Sequence, residues 1–231
     1  MHIMEGFLPL QWCLFWFAVS APFIAYGTYQ LNRLVRENRS TLPLLAVCGA
    51  FIFVLSSLKM PSVTGSCSHP TGTGLSAIMF GPFITSVLSI IVLIYQALFL
   101  AHGGLTTLGA NVFSMGICGP LLGYWVYRGG KAIHLNTIVN VFLASTLADI
   151  FTYVITSVQL SLAFPAVSGG YMTSFITFSG IFALTQVPLA IIEGIFLALT
   201  FKYINQVKPD ILIRLGVISP VQSKQISEAF A

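Results

Sequence analysis

From Met60 to Tyr127 the chain carries no Asp, Glu, Lys or Arg. A helix crosses the hydrocarbon layer with about 20 mostly apolar residues, so this run has room for more than one crossing. Composition agrees: 7% of residues are charged and 56% hydrophobic, with a mean hydropathy of +0.91. A soluble domain carries about 25% charged residues. So few charges cannot wet a globule, and lipid must solvate most of this surface. In lipid every backbone polar group must be satisfied internally, which leaves helices or a closed barrel. The apolar runs are continuous and not alternating, and this selects helices.

The spans read as 8–32, 42–59, 72–82, 83–101, 105–127, 134–162 and 172–204. The third is too short to cross alone, so the distribution of basic residues decides whether it counts. With seven crossings and the N-terminus outside, Arg33, Arg36, Arg39, Arg128, Lys131, Lys202, Lys208, Arg214 and Lys224 all face the cytoplasm, and only Lys59 is external. Merging 72–101 into one crossing moves six of those nine outside. The expected architecture is therefore an all-α, multi-pass protein of the cell membrane. It has a single membrane domain over 1–204 and a polar cytoplasmic tail over 205–231. No basic residue precedes the first apolar run, so that run does not read as a cleaved signal.

The net charge of +4 sits at the ends of apolar runs, where it orients spans, and gives no case for nucleic-acid binding. Cys13, Cys48, Cys67 and Cys118 are scattered without C-x-x-C pairing. No phosphate-cradling G-x-x-x-x-G-K-[ST] is present, so any ATPase must be another polypeptide. The segment from Pro61 to Gly74 is polar and Gly-rich. Irregular backbone at membrane depth is tolerated where it lines a cavity, so this loop is expected to dip inward and hand over to a half-length helix. Broken helices of this kind mark transporter binding sites.

The sequence opens Met1-His2-Ile3-Met4-Glu5-Gly6. With a free amine, the nitrogen of Met1, the amide of His2 and its Nδ1 can chelate one ion through a five- and a six-membered ring. Three coplanar nitrogens leave one planar position open, and tetragonal nitrogen sites suit Ni(II) or Cu(II). The plainer reading is an ordinary histidine in a frayed terminus. His69, in the loop expected to dip inward, supplies the context: an ionisable group at that depth is a functional candidate, and its ring completes a four-nitrogen plane. Cys67 is a competing ligand, but thiolate favours Zn or Cu(I), and it reads as packing.

Other polar residues read as supporting. Glu5 is a candidate to hydrogen-bond a ligand histidine; Ser66, Ser68 and Asn111 are candidates for hydrogen bonds around the site, and His102 for shaping its mouth. Asp149 and Glu193 lie inside spans and need partners there. Ala21-Pro-Phe-Ile-Ala25 and Ala46-Val-Cys-Gly-Ala50 are small-xxx-small patterns, read first as intramolecular helix packing.

Met1-His-Ile-Met-Glu-Gly-Phe-Leu-Pro9, Gly65-Ser-Cys-Ser-His-Pro-Thr-Gly-Thr-Gly74 and Phe80-Gly-Pro82 resemble the CbiM/NikM family, the substrate-specific components of energy-coupling factor importers for cobalt and nickel. Gln96 to Asn111, Phe113 to Ile117 and Gln186 to Gly194 carry the same resemblance, which runs from residue 1 to about Lys202. It implies a six-helix core plus an extra N-terminal helix. It also implies an ion held by the amine of Met1, the amide and Nδ1 of His2, and the ring of His69. The implied partners are a transmembrane coupling protein, a pair of ABC-type ATPases and a small N-type auxiliary subunit, with Ala46 and Ala50 in contact with the coupling protein. Ni(II) or Co(II) is then cargo, no catalytic cofactor is needed, and the protein is not an enzyme. A stand-alone secondary transporter or channel is the alternative. A metal-dependent membrane hydrolase lacks its H-E-x-x-H signature here.

Overall fold

The computed structural model describes residues 2–61 and 65–228. Among them, five helical stretches are long and apolar enough to cross a membrane: Leu10–Glu37 (α1), Arg39–Ser57 (a short turn and then α2, Leu42–Ser57), Pro82–Phe99 (α4), Thr137–Ala163 (α7) and Gly170–Val207 (α8). Two further stretches differ in kind. Thr73–Phe80 (α3) has only eight residues, all of them buried. Residues 108–132 wind without a break through Leu108–Asn111 (α5), a π-helical segment at Val112–Cys118 and Gly119–Ala132 (α6). All seven expected spans therefore have a helical counterpart, with shifted ends.

The interior mixes apolar clusters with many polar side chains, while the exterior is apolar. Buried side chains on α7 include Ser145, Thr146, Asp149, Thr152, Thr156, Ser157 and Gln159, while Leu184, Ile192, Leu199 and Tyr203 of α8 face outward. An apolar exterior, with polar side chains kept inside, suits lipid as solvent. Without water to drive apolar burial, small residues and side-chain hydrogen bonds hold such helices together. Gly74 shows this: a Cβ there would stand 2.8 Å from the Ser145 Cα, so α3 lies backbone-close against α7. The half-helix packs also on α2, α4, α6 and α8, at the centre of the bundle.

Two expectations change. Ala21, Ala25, Ala46 and Ala50 are exposed, so neither small-residue pattern packs within the chain; each presents a smooth outer face. The expected boundary at residue 204 falls inside α8, and the tail folds back on the bundle. Pro209–Arg214 (α9) and Pro220–Glu228 (α10) bury Leu212, Val217, Ile218 and Ile226. Lys131 Nζ donates to the carbonyls of Gly216 and Val217 at 3.1 and 2.9 Å, and Tyr127 Oη donates to Val217 at 3.1 Å.

Three short strands close the opposite end: His2–Ile3 (β1), Met60–Pro61 (β2) and Ser66–Ser68 (β3), in the order β1-β3-β2. They position the site.

Candidate metal centre

Strand geometry explains which side chains meet. Successive residues of a strand point to opposite faces. In the antiparallel β1–β3 pair, His2 stands opposite Cys67 and Ile3 opposite Ser66. Cys67 thus shares a face with His2, and His69, two positions on, follows on that face. Ser66 and Ser68 fall on the other face, where Ser68 Oγ lies 2.8 Å from Thr185 Oγ1 of α8.

The third imidazole comes from the connection after α4. Ala101 and Gly103 both have positive φ, +46° and +74°, and the turn they make brings His102 under the strands. Ring centroids of His2 and His69 are 4.3 Å apart, of His2 and His102 4.4 Å, and of His69 and His102 5.0 Å. Cys67 Sγ lies 3.0 Å from His102 Nε2. One donor atom from each of His2, Cys67, His69 and His102 falls within 4.8 Å of the other three, and all four residues are buried. Three of the chain's four histidines therefore converge on one chamber.

Hydrogen bonding sets the orientation of the rings. His69 Nδ1–H donates to the Pro70 carbonyl at 2.7 Å, so its Nε2 carries a lone pair, and that nitrogen faces Nδ1 of His2. A fixed tautomer of this kind is how proteins prepare an imidazole as a ligand. Burial chiefly holds His2 and His69 well below the usual histidine range, and neighbouring positive charge adds to it, from His69 and His102 at His2 and from the terminal amine and His102 at His69. His102 is pushed down to about 4, chiefly by burial. All three are thus neutral near pH 7, the form that binds a cation. Burial pushes the Cys67 thiol up.

The N-terminal arm is clamped. The Ile3 N–H donates to Asn111 Oδ1 at 2.8 Å, and its carbonyl accepts from Asn111 Nδ2 at 3.0 Å and from Thr107 Oγ1 at 2.8 Å. Asn111 therefore pairs with Ile3 as a neighbouring strand would. Glu5, expected to hydrogen-bond a ligand histidine, instead accepts from Thr106 Oγ1 at 2.5 Å and from the Thr106 N–H. That bond holds its carboxyl below the usual carboxylate range. Met1 lies outside the described residues.

The loop bearing His69 is held from below by α8. Gln186 Nε2 donates to the His69 carbonyl at 2.9 Å and also to the Asp149 carboxylate at 2.8 and 3.0 Å. About two turns further along the same face, Glu193 accepts from the N–H of Thr71 at 2.5 Å, from its Oγ1 at 2.9 Å and from the N–H of Gly72 at 2.8 Å. The first N–H groups of a helix have no partner of their own. Glu193 supplies an acceptor there from a different helix and so fixes the entrance of α3. Asp149 and Glu193 thus each have hydrogen-bond partners inside the bundle.

Residues 2–211 match the family model described as the cobalt uptake substrate-specific transmembrane region, CbiM. The chain belongs to the CbiM family. A CbiM relative in Methanosphaerula palustris is 91% identical over 231 residues, the whole of both chains. A cobalt transport protein CbiM of Carboxydothermus hydrogenoformans is 59% identical over 206 residues, covering 89% of this chain and 84% of its own. The fold matches a crystal structure of a transition metal transporter at a TM-score of 0.79 and 23% identity, over 100% of both chains. A truncated transition metal transporter matches at 0.78 and 26% identity, covering 89% of this chain and 99% of that one. This CbiM-family chain is accordingly a multi-pass membrane protein of metal uptake and not an enzyme.

Two contributions escape the sequence reading. Cys67 reads there as packing, yet its sulfur lines the chamber; the C-x-H spacing on an extended segment, which puts both residues on one side, is the available signal. Gln186 is the other; it lies seven positions before Glu193 on α8 and so shares its helical face.

Proposed function

We propose that this CbiM-family protein is the substrate-capturing subunit of an ATP-driven importer. It captures Ni(II) or Co(II) at the outer face for uptake, nickel for nickel enzymes or cobalt for cobalamin synthesis. The ion is held in a nitrogen plane made by the amine of Met1, the amide and Nδ1 of His2, and Nε2 of His69. The observation that carries this reading is the juxtaposition of His2 Nδ1 with the acceptor nitrogen of His69 inside a buried chamber. Planar nitrogen donors suit late first-row divalent ions. The match to a cobalt-uptake family favours Co(II) among them.

In this reading seven segments cross the membrane, with the N-terminus outside and the 205–231 tail in the cytoplasm. The chain works with a transmembrane coupling protein, an ABC-type ATPase pair and an N-type auxiliary subunit. Exposed Ala46 and Ala50 line an apolar groove of about 590 Å³ with Leu31, Gly49 and Leu88, a surface on which a partner helix can pack closely. No catalytic cofactor takes part.

Competition binding with purified protein tests the cargo: Ni(II) and Co(II) each give the d–d absorption of a planar complex, and His69→Ala removes it. Metal flux into liposomes that lack an ATPase and coupling protein would replace this reading with that of a stand-alone transporter.

A further inference from the structure

Cys67 and His102 bring a second kind of donor into the chamber. The sulfur is 3.0 Å from His102 Nε2, and the four candidate donor atoms lie within 4.8 Å of one another. A tetrahedral zinc site with N and S ligands has edges of roughly 3.3–3.8 Å, from bond lengths of about 2.0–2.3 Å. Small side-chain shifts therefore suffice to close these atoms around one ion. An independent observation points to a ligand. His2 Nε2 is a buried polar atom without a hydrogen-bond partner among the described residues, and such an atom asks for an explanation. The strand register also aims the thiol at the imidazoles and away from the apolar exterior. Packing alone does not require that.

We propose that the chamber has a second coordination mode, in which Cys67 Sγ and His102 Nε2 join the rings of His2 and His69 to hold Zn(II) or Cu(I). The thiolate and imidazole donors suit these ions, and neither favours a planar arrangement. On binding, the sulfur lone pair goes to the ion and the thiol proton to water, with no change of oxidation state. The inference rests on the proposed function in one respect: His2 and His69 serve both modes, so the two classes of ion exclude each other. The thiol then sets specificity. A soft or tetrahedral ion is drawn off the terminal amine, and the bound state differs in shape from the cargo-loaded one.

The test uses the full chain in detergent with Cd(II), a soft ion that reports thiolate ligation by a sulfur-to-metal charge-transfer band in the ultraviolet. The wild type is expected to show that band, and Cys67→Ser to lose it although Cys13, Cys48 and Cys118 remain. His102→Gln is expected to weaken Zn(II) at least tenfold more than it weakens Ni(II). A folded wild type without the band, a band that persists in Cys67→Ser, or equal weakening of Zn(II) and Ni(II) overturns the proposal. A residue added ahead of Met1 separates the two readings. If the extended protein keeps full Ni(II) affinity, the planar reading fails, whatever the charge-transfer band shows.

Discussion

Nδ1 of His2 faces Nε2 of His69 across 67 positions of sequence, inside a chamber from which both rings are shielded from water. Pro70 orients the His69 ring, but both residues are brought to the site by distant parts of the chain. His2 is positioned by Asn111 and by the strand it forms with Cys67; His69 is positioned by Gln186 and Glu193 of α8.

Removing the clamp on the N-terminal arm should therefore weaken metal binding without unfolding the bundle. Asn111→Ala leaves the Ile3 N–H without its buried partner, at about 1–3 kcal/mol. The expected outcome is a fall in Ni(II) or Co(II) affinity of about tenfold or more, since 1.4 kcal/mol is a factor of ten. Calorimetry checks the affinity and far-ultraviolet circular dichroism the unchanged helix content.

Glu193 acts on the site through α3. Glu193→Ala strips three acceptor contacts from the loop–helix junction. At about 1–3 kcal/mol for each buried donor left unpaired, it should lower the thermal midpoint in detergent and weaken metal binding together. Glu193→Gln keeps one oxygen acceptor and should lose less of both.

Gly103 is constrained twice. Its φ of +74° disfavours any side chain, and a Cβ there would stand 3.2 Å from Cδ2 of His2 and 3.2 Å from Nδ2 of Asn111. Gly103→Ala should cost about 1–3 kcal/mol in backbone strain and displace the His2 ring. Loss of metal affinity with a lowered thermal midpoint is the expected result.

Acid should destabilise the metal-free protein through its neutral imidazoles. An unfolded histidine takes up a proton near pH 6.5, whereas His102 does so only at about 4. Between those values the unfolded state binds more protons, so stability is complete above about pH 6.5 and declines as pH falls. His2 and His69, displaced in the same direction, add to the decline, and Glu5 acts with the same sign at lower pH. Thermal midpoints measured from pH 7 to 4 should fall, and His102→Gln should flatten the slope.

The legible parts were those governed by local rules. Runs such as Pro82–Phe99 announce themselves by length and hydropathy, and Gly81 with Pro82 marks where α3 ends and α4 starts. His2 and His69 were legible because the chemistry of each is distinctive in its segment. What escaped depends on long-range pairing. The swing of His102 under β1 follows from two positive-φ turns, which hydropathy does not encode. The docking of α9 and α10 rests on Tyr127 and Lys131 finding carbonyls about 85 to 90 residues away. Glu193 showed only as a buried acid, because its partners are backbone N–H groups that every residue carries.

The central claim is tested most directly by calorimetric titration of Ni(II) and Co(II) into protein with a free Met1 amine and into one with a single Gly placed before Met1. The account predicts tight binding by the first and a loss of at least a hundredfold by the second, because the added residue removes the amine from chelating distance while leaving the fold intact. Equal affinity in the two proteins would contradict it.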